Sequence, residues 1–139
     1  MSTLNVGNIQ STGSGFHDVV TFKNSGGTEN ATLCRAWCHF TGTGTVSLDG
    51  DFNVDSITDI ATGTYQVNFT NAMPNVNYSA VASSQNTLSV YSNATSVYSY
   101  NTTDVRIATA TDGTGGATYT SYDATHCSLA VFALSLIHI

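Results

Sequence analysis

The feature that most constrains this chain is the spacing of its punctuation. Clusters of Gly, Asn, Asp and Ser break it into short runs at roughly 8–12-residue intervals. Between the breaks lie alternating or β-branched segments, among them DVVTFK, ATLCRAWCHF, TYQVNFT, TSVYSY, TDVRIATAT and HCSLAVFA. Period-two alternation gives a strand one apolar and one polar face. No long window repeats apolar residues at three- and four-residue spacing, and the strong helix formers Glu, Lys and Gln are scarce, so no helix is predicted. About ten short strands at this spacing predict an all-β fold, an antiparallel β-sandwich of jelly-roll-like type. No internal repeat of 20–50 residues points to a solenoid or propeller. Two turns are explicit. NSGGTEN supplies Gly26 and Gly27 for a tight reversal, and FNVDSITDI and TYQVNFT form a hairpin through ATG.

Composition then excludes several functions. The 139 residues suffice for one domain with a real core. Charged residues make up 9% of the chain, against about 25% in an ordinary domain. Three basic residues, Lys23, Arg35 and Arg106, face nine acidic ones, for a net charge of −6. No basic stripe exists to neutralise phosphates, so nucleic acid is not an expected partner. No apolar run approaches the ~20 residues of a membrane span, and the N-terminus lacks a signal-peptide layout. A soluble chain is expected, with no membrane insertion. Sheet proteins commonly guard exposed edges with lysine and other charges. A lysine-poor β chain is expected to protect its edges by pairing with copies of itself.

LCRAWCHF, residues 33–40, holds two of the three cysteines and a histidine. In a strand, Ala31, Leu33, Arg35, Trp37 and His39 share one side, and Thr32, Cys34, Ala36, Cys38 and Phe40 the other. Cys34 and Cys38 then stand roughly 13 Å apart, beyond the ~7 Å reach of a disulfide. A structural zinc site wants four converging ligands, and His39 points away from both cysteines. His126–Cys127 offers one ligand per face. A Cys38–Cys127 bridge across neighbouring strands is conceivable, but in a reducing compartment the thiols stay free. Inert thiols, no metal and no cofactor are therefore expected here. Asp49, Asp51, Asn53 and Asp55 mimic half a calcium loop, but Val54 and Ile60 occupy the places of its Gly and Glu. A solvated strand face is the expectation, with weak cation binding between subunits as its rival. No nucleophile–base–orienter set is recognisable, and no glycine-rich loop opens a helix, so no enzyme is expected. The best binding candidate is TLSVYSNATSVYSYNTTD, with Tyr91, Asn93, Tyr98, Tyr100 and Asn101. Tyrosine among small polar residues gives rigid amphipathic contact area with adaptable hydrogen bonding, suited to a glycan or a protein surface. The same tyrosines would also serve as packing in strands or subunit interfaces.

Residues 35–81 run RAWCHFTGTGTVSLDGDFNVDSITDIATGTYQVNFTNAMPNVNYSAV. This stretch resembles a module of tail-fibre and other virion structural proteins of tailed phages and prophages, many of them marine cyanophages and pelagiphages. The family pattern runs approximately R-A-W-V-N-F-x-G-T-G-T-V, then F-N-V-S-S-I-T-D-N-G-T-G-x-Y-T-V-N-F-T-x-A-M-P-x-x-N-Y. It is matched here at Arg35, Ala36, Trp37, Phe40, 42–46, 52–54, 56–59, Gly63, Tyr65, 67–70, 72–74, Asn77 and Tyr78. The chain departs from it at Cys38 and His39, where the pattern has Val and Asn; Cys38 would pack as a small hydrophobe beside a core Trp37. The resemblance implies a non-enzymatic virion protein, made in the bacterial host cytoplasm and assembled as a homotrimer with other virion proteins. An N-terminal arm, residues 1–15, would dock on a partner. A sandwich domain, 16–133, would present loops for host-surface attachment to a glycan or protein receptor. A capsid or tail decoration role without receptor binding is the alternative, and a polysaccharide depolymerase a further one. The last six residues, LSLIHI (134–139), resemble the translated end of a sequencing adapter and are expected to be a non-native tail.

Overall fold

The computed structural model describes residues 19–24, 27–32, 34–86, 93–112 and 119–133, with backbone alone for 19–32, Asn93 and Asp112. The expected arm at 1–15 and tail at 134–139 lie outside the described residues, as does the run at 3–10. Eleven strands and no helix make up the described elements. They are β1 (Val19–Asn24), β2 (Gly27–Thr32), β3 (Cys34–Thr41), β4 (Ser47–Phe52), β5 (Val54–Ala61) and β6 (Thr64–Phe69), followed by β7 (Ser79–Gln85), β8 (Asn93–Tyr100), β9 (Asp104–Asp112), β10 (Tyr119–Ser121) and β11 (His126–Phe132).

Two antiparallel sheets pack face to face as a β-sandwich. One has the order β4-β3-β11-β7. In the other, β5-β6-β9-β8, the short β10 continues the line of β6, pairing with 110–112 of β9 where β6 pairs with 104–108. β1 and β2 form a separate hairpin with Asn24 opposite Gly27. The expected β5–β6 hairpin is present, closing with Ala61 opposite Thr64. The first and last strands of the sandwich, β3 and β11, pair at the centre of one sheet. Neighbouring strands otherwise run as hairpins: β3–β4, β5–β6 and β8–β9.

Alternation builds the core. Ala36, Cys38 and Phe40 of β3 and Cys127, Leu129 and Val131 of β11 point inward, against Tyr65, Val67 and Phe69 of β6 and Val105 and Ile107 of β9. Phe40 and Tyr65 meet edge to face across the layers, ring centroids 5.2 Å apart. The chain changes sheet between β4 and β5 at Asn53, which adopts a positive φ of 56°, a conformation Asn tolerates well. Its side chain holds the corner. The amide donates to the Arg35 and Asn71 carbonyls, and the Oδ1 accepts from the Asn71 backbone N–H at 2.8 Å. This corner also removes the half calcium loop. Asp49 and Asp51 lie on β4 and Asp55 on β5, with the fully engaged Asn53 between them.

The two sides of the sandwich differ in charge. β4 and β5 flank one side of the sandwich and expose four aspartates, Asp49, Asp51, Asp55 and Asp59. That side is guarded by negative charge rather than lysine, since repulsion deters strand addition regardless of sign. The opposite edge strands, β7 (SAVASSQ) and β8 (NATSVYSY), carry no charge at all.

Buried acids set the alkaline limit of the fold. Burial pushes the Cys38 and Cys127 thiols up to about 12 from an ordinary 9.0, with Cys127 and Asp51 adding to the effect on Cys38. Burial likewise raises the Tyr65 and Tyr78 hydroxyls. The unfolded chain releases these protons first, so in this window the native state binds more protons and stability falls as pH rises. The urea midpoint should decline progressively above about pH 9 and be insensitive to these groups below it. In the native protein, alkylation should reach the half-buried Cys34 and spare Cys38 and Cys127 until denaturant is added; native labelling of all three at one rate would contradict the packing.

Candidate functional site

The outward face of the β4-β3-β11-β7 sheet carries the densest cluster of chemically capable side chains among the described residues. Strand pairing sets its rows. Phe52, Trp37, Ala130 and Val81 stand opposite one another across the four strands, and Gly50, His39, Ser128 and Ser83 form the next row. Trp37 is 44% exposed and Val81 62%. Trp37 is thus not the core residue expected. The alternation that buries Ala36 and Cys38 turns it outward with His39, as the face assignment for LCRAWCHF requires. A Cβ on Gly50 would lie 3.6 Å from the indole, in ordinary van der Waals contact.

Two depressions meet on this face. One of about 360 Å³ is lined by His39, Ser83, Ser84, Gln85, His126 and Ser128. The other, of about 320 Å³, runs past Trp37, Val81 and Ala130 and shares His39, Ser83 and Ser128 with the first. Together they form a groove with an indole and aliphatic side chains at one end and imidazoles, hydroxyls and an amide at the other. Volumes of this size fall at the small end of ligand sites.

At the polar end, His39 and His126 stack with ring centroids 5.3 Å apart and planes 22° from parallel. A β-bulge in β4 between the partners of His39 and Phe40 brings Asp49 into the group. Its Oδ2 lies 3.4 Å from His39 Nδ1 and accepts a hydrogen bond from Thr41 Oγ1 at 3.1 Å. Sequence reasoning set His39 against the cysteines and so missed its partner. Neither His39 nor His126 has a neighbour in sequence that suggests the pair, and β3–β11 pairing alone unites them. The thiols themselves stay apart. Cys38 is opposite Leu129 and Cys127 opposite Phe40, a diagonal relation of roughly 7–8 Å that exceeds bridging reach. All three cysteines are free.

The tyrosine-rich segment falls elsewhere. Tyr91 lies outside the described residues. Asn93 opens β8 opposite Thr111. A bulge between Val97 and Ser99 places Tyr98 as an extra residue, 49% exposed. Tyr100, opposite Val105, turns toward the core and packs on Tyr78 with ring centroids 5.2 Å apart. Asn101 is exposed and donates to Asp104 Oδ1 at 2.9 Å. The structure therefore brings Tyr98 and Asn101 to the surface and separates them from the inward Tyr100.

Fold and site together define an antiparallel β-sandwich with a ligand-sized groove on one outer sheet face. No family model, no curated protein and no solved structure matches the chain.

Proposed function

We propose that this chain is a non-enzymatic virion structural protein of tail-fibre type that contributes to host-surface attachment. The observation that carries attachment is the outer-face groove, where exposed Trp37 lies beside His39, Ser83 and Ser128, with His126 and Gln85 at its far polar end. An indole stacks on the C–H face of a sugar, while neighbouring hydroxyls and imidazoles bond its hydroxyls; a saccharide of the host surface suits this arrangement. The virion assignment rests on the family pattern at 35–78. Exposed Tyr98, within the segment holding Tyr91, Asn93, Tyr100 and Asn101, adds a second contact of the adaptable kind. The protein would be made in the bacterial host and act in the virion, bound to other virion proteins.

Self-association into a homotrimer belongs to this proposal, with the uncharged β7–β8 edge as the meeting surface. Light scattering on the purified chain is expected to give three times the monomer mass; monomer alone would remove the trimer. A decoration role without receptor binding is favoured by one observation, the apolar row of Phe52, Trp37 and Val81, which would equally suit a protein lattice. Glycan-array binding by the full chain is the expected result under attachment. A stable trimer that binds no glycan and no host cell would favour decoration, and release of reducing ends from host polysaccharide would make the protein a depolymerase.

A further inference from the structure

We propose that His39, Asp49 and His126 form a binding site for a divalent transition metal of the zinc class. The site does not depend on the attachment role. One residue comes from each of three adjacent strands, β3, β4 and β11, and their donor atoms all lie within 4.8 Å of one another. Bonds of about 2.0–2.1 Å to nitrogen and oxygen in a tetrahedron give ligand–ligand edges of roughly 3.4 Å. The His39 Nδ1 to Asp49 Oδ2 separation is already 3.4 Å. The donor atoms lie within 4.8 Å of one another, so the His126 donor closes by up to about 1.4 Å, and its ring turns out of the 22° stack with His39, to complete the remaining edges. Side-chain rotation covers that distance, because all three side chains are at least partly exposed.

Ligand chemistry selects the metal. Two imidazoles and one carboxylate suit zinc, cobalt, nickel or copper, whereas calcium and magnesium take oxygen ligands alone. A supporting shell is in place. Thr41 Oγ1 holds Asp49 Oδ2, and Ser47 Oγ reaches Oδ1 at 3.5 Å. Rigid strands carry all three ligands, and Gly50 opposite His39 leaves the approach unobstructed by a side chain. Three protein ligands leave a fourth position for water or an incoming donor, at the polar end of the groove. The net charge of −6 favours any cation.

The test is titration of the full chain with Zn²⁺ by calorimetry and with Co²⁺ by visible absorption, with Ca²⁺ as the control. Expected are one Zn²⁺ per chain at micromolar Kd, the intense bands of tetrahedral Co²⁺, and no response to Ca²⁺. His39→Ala and His126→Ala should each weaken binding by about tenfold or more, Asp49→Asn should weaken it less, and Cys34→Ser should leave it unchanged. The three sites lie on the exposed sheet face, and unchanged circular dichroism confirms that each variant folds. Absence of Zn²⁺ binding by the wild-type chain overturns the proposal. So does binding that survives the His39→Ala/His126→Ala double variant or that disappears in Cys34→Ser.

Discussion

Gly63→Ala is expected to lower the melting temperature by about 10–20 °C, whereas Gly44→Ala should lower it by only a few degrees. The two glycines have nearly the same backbone, with φ of 68° and 69°. Alanine in this left-handed region costs about 1–2 kcal/mol at either site. They differ in space. A Cβ on Gly44 would meet nothing within 4 Å, while one on Gly63 would lie 2.6 Å from the Thr109 carbonyl and 2.8 Å from that of Tyr122. Those are backbone atoms, one in β9 and one just past β10 and hydrogen-bonded to Thr109, and they cannot swing aside, so a further ~1–3 kcal/mol of overpacking follows. The site matters because it joins the lines of β6 and β10 on β9. The Gly63 carbonyl accepts the Thr109 N–H at 2.8 Å, and Thr109 Oγ1 donates to the Tyr122 carbonyl at 2.6 Å. Thermal melts of both variants, followed by circular dichroism, check the difference. Equal losses would mean that the junction is looser than described.

Tyr65→Ala should be the most damaging core substitution, at about 3–5 kcal/mol, and Tyr65→Phe should still cost about 1–3 kcal/mol. The ring is fully buried between the sheets. Its hydroxyl accepts the Ala124 N–H at 3.2 Å and has the Gly42 carbonyl and Asp123 Oδ1 as alternative acceptors at 3.2 and 3.3 Å. One phenolic proton serves one of these at a time. Phenylalanine preserves the packing against Phe40 and leaves the Ala124 N–H without that acceptor inside the protein, which is the source of its cost. Asp123 retains the Gly63 N–H at 2.7 Å in either variant. Urea denaturation of the three proteins at neutral pH separates the packing contribution from the hydrogen-bonding one. A Tyr65→Phe variant as stable as the parent would show that water replaces the hydroxyl.

The sequence made the strands legible where alternation is clean. Along β3, the assignment of Ala36, Cys38 and Phe40 inward and Trp37 and His39 outward agrees with the structure, as does Cys38 in the role of a small buried hydrophobe. Taking Trp37 as core, as the family resemblance implied, contradicted that same alternation. β4 was illegible as a separate strand. SLDGDF carries a glycine between two aspartates and looks like a turn or half a calcium loop. Pairing with β3 overrides that local signal. The bulges at Asp49 and Tyr98 were equally hidden, since an extra residue in one strand is visible only against its partner. Both affect candidate sites. One delivers a carboxylate to two histidines, and the other separates Tyr98 from Tyr100, which simple alternation would place together. The metal-ligating group draws on residues far apart in the chain, so no spacing rule could have found it.

Under the proposed attachment role, the outer face of the β4-β3-β11-β7 sheet around Trp37 is the binding surface. The most direct test measures binding of the full chain and its Trp37→Ala variant to the strongest glycan-array or host-cell ligand. Tryptophan anchors of this kind contribute about 2 kcal/mol or more, so the account predicts roughly a thirtyfold weaker Kd for Trp37→Ala in a variant that retains its fold. A Trp37→Ala protein that binds as tightly as the parent would place the binding surface elsewhere and contradict the account.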